Sequence, residues 1–413
     1  MKKIALSSAL AALVALPALG IEVYNNEEKD ASVEIYGSLR GFVGGGGAVD
    51  GTPKDTGNFL IGFQTNSNFG IDTKYGKFFS KIEFGLSEGG FLGSPSKIDV
   101  CVAGFCIAQD YGNYPGLRKV YGSYDFGSAG KLTFGKLDTP SVEGGFQTDF
   151  NHNDAGGNGF GSVTTGSRKL QVQYAHSGVT VAIIADEAKE GNSNSTAYTQ
   201  NYSNTRLEYA PRIAFSYESK LGEKGKLKIA ATYKYYAYYA NVTSDGGATH
   251  KDIHADIHAG HILVGAKIGL GGESTLSTFF NYGINGDLYK EQQTAYSAGR
   301  YGYSTYNDAG LWAQRAGLLV EYGTKLNDTL SLAAGAGYQA TFNGDGQRGT
   351  TLNNGLQSIH GYKFYVNAPI SVAKGFTIVP QLAFYDTIKT GNHGFKTSHQ
   401  SALLGLVRLK YDF

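Results

Sequence analysis

The chain has 413 residues, a formal net charge of +1, and 59 glycines, 29 tyrosines and 23 phenylalanines against 8 prolines and one methionine. A near-neutral balance leaves no electrostatic footprint for nucleic acid, and no apolar run after Gly20 is long enough to cross a membrane as a helix. Many glycines and aromatics, few helix formers and a mean hydropathy of −0.24 suit a large sheet wetted on one face only.

Residues 1–20 read as a secretory signal peptide. Lys2 and Lys3 form a positive start, Ile4 to Leu16 is mostly apolar, and Ala18 and Gly20 make a small-x-small cleavage site. The folded part is then a single domain, 21–413. Within it Val33–Val43 alternates: Val33, Ile35, Gly37, Leu39 and Gly41 share one face, and Glu34, Tyr36, Ser38 and Arg40 the other. Asn58–Thr73 and Phe78–Ser87 follow as strands about a short turn. In the second of these Lys81 and Glu83 lie opposite Ile82 and Phe84.

A long connection, Glu88–Gly116, holds the only cysteines, Cys101 and Cys106. In an exported chain such a pair implies a disulfide tying a loop tip, with a metal pair as the weaker reading. Strands at Leu117–Phe126 and Lys131–Asp138 flank the turn Gly127–Gly130. Thr139–Ser167 then has no periodicity, is rich in glycine and carries Glu143, Asp149 and Asp154. A connection that long in a β-protein is functional or disordered. It is expected to fold into the mouth of a barrel and narrow it.

Strand and turn signals continue to the end: 169–175, 179–186, 207–220, 226–242, 262–270, 274–285, 310–324, 329–342, 359–372, 376–388 and 399–413. That makes sixteen, with short turns on one side and long loops on the other, the pattern of an outer-membrane barrel. At this size side chains cannot fill the lumen, so a water channel is expected. In the last strand Leu403, Gly405, Val407, Leu409 and Tyr411 form an apolar face. Lys410, Arg408 and Asp412 lie opposite, with Leu404 and Leu406.

One cluster stands apart. His250, His254, His258 and His261 accompany Asp252 and Asp256, and on a strand His254, Asp256 and His258 share a face that could hold a divalent cation. The competing reading is a polar loop entering a strand near Gly260. No nucleotide fingerprint or HExxH is present, so no cofactor is expected and the chain does not read as an enzyme. An outer-membrane lipase or protease would need a Ser/His/acid set near the rim. A substrate-specific channel would need an aromatic slide, for which Tyr233–Tyr239 is the candidate.

Several stretches together resemble the trimeric general porins of Gram-negative outer membranes. They are Ile21–Asn26 followed by Val33–Gly37, Asn68–Ile71, Arg118 with Val120–Tyr124, Phe134–Lys136 with Asp138–Pro140, Glu143–Phe146, and the terminal Phe413. Asn68 stands where that family has arginine. The resemblance implies a homotrimer of sixteen-stranded antiparallel barrels in the bacterial outer membrane, passing ions and small hydrophilic solutes. It implies a second loop that latches onto a neighbouring subunit, and a C-terminal strand ending at Phe413 that the barrel assembly machinery reads. It also implies a pore constriction of inward-folded acids, Glu143, Asp149 and Asp154, facing Arg40 and Arg118, with Lys81 and Glu83 on the wall. Arg168 and Lys136 fall near ladder positions, although alternation points both outward.

Overall fold

The computed structural model describes residues 20–49, 58–64, 66–86, 100–102, 105–107, 116–150, 160–164, 167–185, 200–244, 249–286, 289, 291, 314–342, 358–390 and 398–413. The predicted loop acid Asp154 lies outside them, as does the predicted signal peptide up to residue 19.

Alternating side chains build one antiparallel sheet that closes on itself. Its staves are β1 (Ala31–Ala48), β2 (Asn58–Phe63, continued by Asn68–Tyr75), β3 (Phe78–Gly85), β4 (Gly116–Asp125), β5 (Lys131–Asp138) and β6 (Arg168–His176). They continue with β7 (Val179–Ala185), β8 (Gln200–Tyr209 and Arg212–Leu221), β9 (Gly225–Ser244), β10 (Thr249–Gly271) and β11 (Ser274–Ile284). The last are β12 (Gln314–Lys325), β13 (Ser331–Phe342), β14 (Ser358–Asn367 and Ile370–Ala373), β15 (Phe376–Thr390) and β16 (Ser398–Asp412). Twenty segments form the sheet. Three staves are each broken in two and the N-terminal segment lies end to end with β16, so the closed barrel has sixteen staves.

β1 pairs with β16 from Ser38↔Asp412 to Ala48↔Ala402, which closes the cylinder. The N-terminal segment Ile21–Asn26, which the alternation did not single out, pairs with the start of β1 from Ile21↔Ile35 to Asn26↔Ala31. Phe413 bridges the two pairings by exchanging hydrogen bonds with Gly37, at 2.8 and 3.0 Å.

Two sequence expectations change here. The His250–His261 stretch is strand rather than loop: β10 runs 23 residues and pairs with β9 without a register shift from Ser244↔Thr249 to Lys226↔Lys267. Face parity therefore runs unbroken through Gly260, and Asp256 and His258 continue the face that carries Ile262 and Val264. β8 is interrupted at Ala210-Pro211, where proline removes a ladder donor.

The tight turns follow ordinary chemistry. Ser177 and Gly178 both have positive φ, at 50° and 82°, which a two-residue hairpin of matching twist requires. The outer face is apolar, with Ile82, Val172, Ile183, Ile213, Val264 and Leu382 all exposed. Near the short turns it carries aromatics, with the Phe78 and Tyr124 rings, and the Tyr124 and Phe126 rings, 4.7 Å apart.

Candidate functional site

The described parts of the long connection after β5, residues 139–150, 160–164 and 167, lie against the inner face of β8 to β16. Thr139 N donates to Ser167 O at 2.9 Å and Glu143 N to Thr164 O at 3.1 Å, so outgoing and returning chains are tied at the root. Gly144 and Gly145, at φ 78° and 81°, make a turn that a side chain would strain. It swings Phe146 onto a patch of Ala230, Leu263, Phe279 and Leu319. Phe150 and Phe160 cover a second patch that includes Tyr385, Leu404 and Leu406. Leu319 and Leu404 are buried, whereas their neighbours Leu318 and Leu403 on the outer face are exposed. Apolar residues on a wall that should be polar are thus the docking surface for this arm.

Its acids serve as clamps. Glu143, fully buried, accepts from Phe146 N at 3.0 Å, from Gln147 Nε2 at 2.8 Å and from the Ser162 hydroxyl. Burial pushes its carboxyl above the ordinary carboxylate range, against those donors and the Lys363 charge. Asp149 meets Lys363 Nζ at 3.1 Å, Gln381 Nε2 at 2.8 Å and Tyr385 OH at 2.8 Å. The wall contributes Glu321, which accepts from Thr148 N at 2.6 Å and Thr148 Oγ1 at 2.7 Å, and also from Tyr365 OH. The arm tip crosses to β2, where Gln64 Nε2 donates to Phe150 O at 2.7 Å.

A second connection reaches the same root. Glu291, from the segment after β11, pairs with Arg212 at 2.6 Å, both completely buried. It accepts from Thr139 Oγ1 and Ser141 Oγ, each at 2.6 Å. Burial opposes its ionisation, but Arg212, His261 and the two hydroxyls outweigh that and hold the carboxyl below its ordinary value. His261 Nε2 lies 2.9 Å from Ser141 O, and its Nδ1 lies 2.7 Å from Tyr289 OH.

The opposite wall is β1 to β6 with β16. Arg118 is the extra residue of a bulge, since Glu83 pairs with Lys119 and Phe84 with Leu117. The bulge brings Arg118 and Lys119 to the same side. Arg118 Nε is 2.9 Å from Glu83 Oε1, and Tyr36 OH donates to Glu83 Oε2 at 3.0 Å. Lys81 Nζ is 3.0 Å from Asp72 and 4.1 Å from the Tyr36 ring centre. Asp138 draws in Lys119 at 2.8 Å and Arg168 at 3.6 Å. Arg40 Nε donates to Ser38 Oγ at 2.8 Å. Arg40 lies within electrostatic reach of Arg408 and Arg118.

The sequence-predicted residues therefore divide. Arg40, Lys81, Glu83 and Arg118 come together on one wall. Glu143 and Asp149 are withdrawn from it, buried between the arm and the other wall, which corrects the expectation that they face Arg40 and Arg118 across water. Lys136 is level in register with Val120 and Leu170, both exposed on the outer face, and its amine donates to Leu117 O at 2.7 Å. Asp256 and His258 bond to tyrosines: Tyr235 OH to Asp256 at 2.6 Å and Tyr233 OH with His258 Nδ1 at 2.8 Å. No metal-ligating group of three exists among the described residues, which exclude the side chain of His254. Cys101 and Cys106 are cross-strand partners in a small hairpin, Val100–Val102 with Phe105–Ile107. No free cysteine is found among the described residues.

No protein-family model matches the chain, and no curated sequence does. Solved structures do. The outer membrane channel DcaP of Acinetobacter baumannii is 16% identical, with a TM-score of 0.59 over 95% of this chain and 100% of that one. OmpT, an outer membrane protein of Vibrio cholerae solved in a trimer form, is 15% identical, with a TM-score of 0.53 over 93% of this chain and 99% of that one. At such identities the likeness is one of fold.

Proposed function

We propose that this protein is a porin of the Gram-negative outer membrane: a water-filled channel through which ions and small hydrophilic solutes diffuse. The observation that carries the reading is the arm. A sixteen-stranded barrel has room for an aqueous lumen, and residues 139–150 and 160–164 occupy one side of it, against β8 to β16. The passage then runs between the arm and the charged wall of β1 to β6 and β16. Charge at such a constriction sets both a size limit and a field. The apolar outer face with aromatics near the turns fits a bilayer, and the fold it shares with an outer membrane channel supports that location.

Among the described residues, Ser141, His261 and Glu291 bring a serine, an imidazole and a carboxylate together, as a barrel enzyme would need. Their connectivity does not suit nucleophilic catalysis. The Ser141 hydroxyl gives its proton to Glu291, and His261 meets the Ser141 backbone carbonyl instead of the hydroxyl. A catalytic serine must give its proton to the imidazole and reach substrate, and these three groups are sealed from solvent. They read as the bracket that holds the arm.

We also assign the channel to a homotrimer, a reading supported by the trimer form of the OmpT barrel. Liposome swelling tests the channel directly. Vesicles containing the protein should swell in isotonic neutral sugars, more slowly as the sugar grows. Vesicles that swell no faster than protein-free controls would refute the proposal.

A further inference from the structure

Resting on the channel reading above, we propose that the lumen carries an anion-binding station at its short-turn mouth: a row of lysines that takes a free oxyanion with more than one charge, phosphate or a small phosphate ester. The row is set by register. Lys220 on β8 is directly opposite Lys226 on β9, and Lys226 is directly opposite Lys267 on β10. Such cross-strand partners share a face, with Cβ atoms about 5 Å apart. That face is the lumen side, because the Lys226 ammonium donates to Gly144 O and lies 4.4 Å from the Phe146 ring centre, both on the arm. The turns 222–224 and 272–273 follow directly, so the row borders the short-turn mouth. In an outer-membrane barrel that mouth is the periplasmic one.

Like charges directly opposite each other destabilise a sheet, and the surroundings of this row do not cancel them. One same-face position further along, Glu218 is directly opposite Lys228 and pairs with it at 2.8 Å, the stabilising arrangement. Glu218 and Glu143 also act on Lys226, and Glu143 is buried among its own donors. Four ammoniums therefore meet two carboxylates, and neither Lys220 nor Lys267 forms an ion pair among the described residues. The other nearby acids lie outside the row. Glu223 is exposed in the turn, and Glu273 pairs with Lys224 at 2.7 Å. Glu321 is level with Lys267 but two strands away, beyond Ser277, where it accepts from Thr148. An oxyanion seated across the row relieves the repulsion between its lysines. An ammonium is a compact charge with three donors and binds phosphate as such. Ammoniums side by side favour an anion with two charges over a single carboxylate.

The test is equilibrium dialysis of the detergent-solubilised native protein against radiolabelled inorganic phosphate, at about 0.01 M ionic strength, where the Debye length reaches about 30 Å. Uptake should saturate, and sulfate should displace the label at a lower concentration than acetate. K220Q and K267Q should each weaken binding about tenfold, the loss of one charge-assisted hydrogen bond. K220R keeps the charge and should keep the affinity. K224Q, in an exposed turn, should leave it unchanged. Native protein without saturable uptake overturns the station, and that measurement needs no variant to fold. Acetate competing as well as sulfate, or K224Q weakening uptake as much as K220Q, overturns it too. In planar bilayers phosphate should reduce the KCl current at a lower concentration from the short-turn side than from the long-loop side, and equal reduction from both sides contradicts the placement. A protein that conducts but takes up no phosphate loses the station and keeps the channel. A protein that takes up phosphate but never conducts keeps the station and loses the channel.

Discussion

The carboxylate of Asp149 lies 3.1 Å from the ammonium of Lys363, and neither side chain is exposed. One belongs to the arm and the other to β14, so this pair fastens the tip of the arm to the barrel wall. Removing one partner of such a pair strands the other charge, at a cost of about 3 kcal/mol. D149N should therefore loosen the arm, seen as larger and noisier single-channel conductance. The double variant D149L/K363M removes both charges and should restore a quiet channel. Equal conductance in D149N and parent would show that the pair does not hold the arm.

Glu143 makes arm docking depend on pH. Its carboxyl titrates above the ordinary range when docked, because burial favours the neutral acid. The docked form therefore binds a proton more tightly than the released form. Docking is strongest below the ordinary glutamate pKa, about 4.3, and weakens as pH rises through the raised value. Amide hydrogen exchange across 141–150, corrected for its intrinsic pH dependence, should show more protection in acid. E143Q, which cannot ionise, should abolish that dependence while keeping the arm in place.

Gly37 is dictated by Phe413. A Cβ at Gly37 would overlap the Phe413 ring, at the point where the C-terminal residue seals β1 against β16. G37V should destabilise the closed barrel by about 2 kcal/mol, as overpacking does. The readout is the temperature at which the protein loses its compact mobility in semi-native electrophoresis. An unshifted transition would mean that the terminal ring can move aside at no cost.

Cys101 and Cys106 face each other across a two-stranded hairpin, and thiol labelling without reductant should find neither. C101S should lower the stability of that hairpin by about 2 kcal/mol, the low end for a disulfide. If the hairpin latches a neighbouring subunit, the trimer should dissociate at a lower temperature while each barrel stays folded. A trimer that melts unchanged would exclude the latch.

Much of the barrel was legible because a strand with one wet and one dry face writes itself in alternating residues. Leu403, Val407 and Leu409 against Arg408 and Lys410 is the clearest case. What alternation could not show is why Leu404 and Leu406 share the wet face. They are covered by Phe150 and Phe160 of an arm nearly 250 residues earlier in the chain. The same gap hid Lys363, set within an aromatic strand, and Arg212, set after a proline that breaks β8. Their partners, Asp149 and Glu291, lie in connections where periodicity gives no parity. Glu143 was found by its Glu-Gly-Gly-Phe setting, but its role as a buried clamp depends on Ser162, on the returning chain. Arg118 was legible, whereas the bulge that brings Lys119 beside it exists only in the pairing of β3 with β4.

The most direct test is single-channel conductance in planar bilayers, comparing the parent with a protein lacking residues 144–161. The parent should insert as open, ohmic pores whose steps come in threes, and the deletion should conduct more per step because the lumen side now filled by the arm becomes water. A parent that forms no steady pore, or a deletion that conducts no better than the parent, would contradict the account.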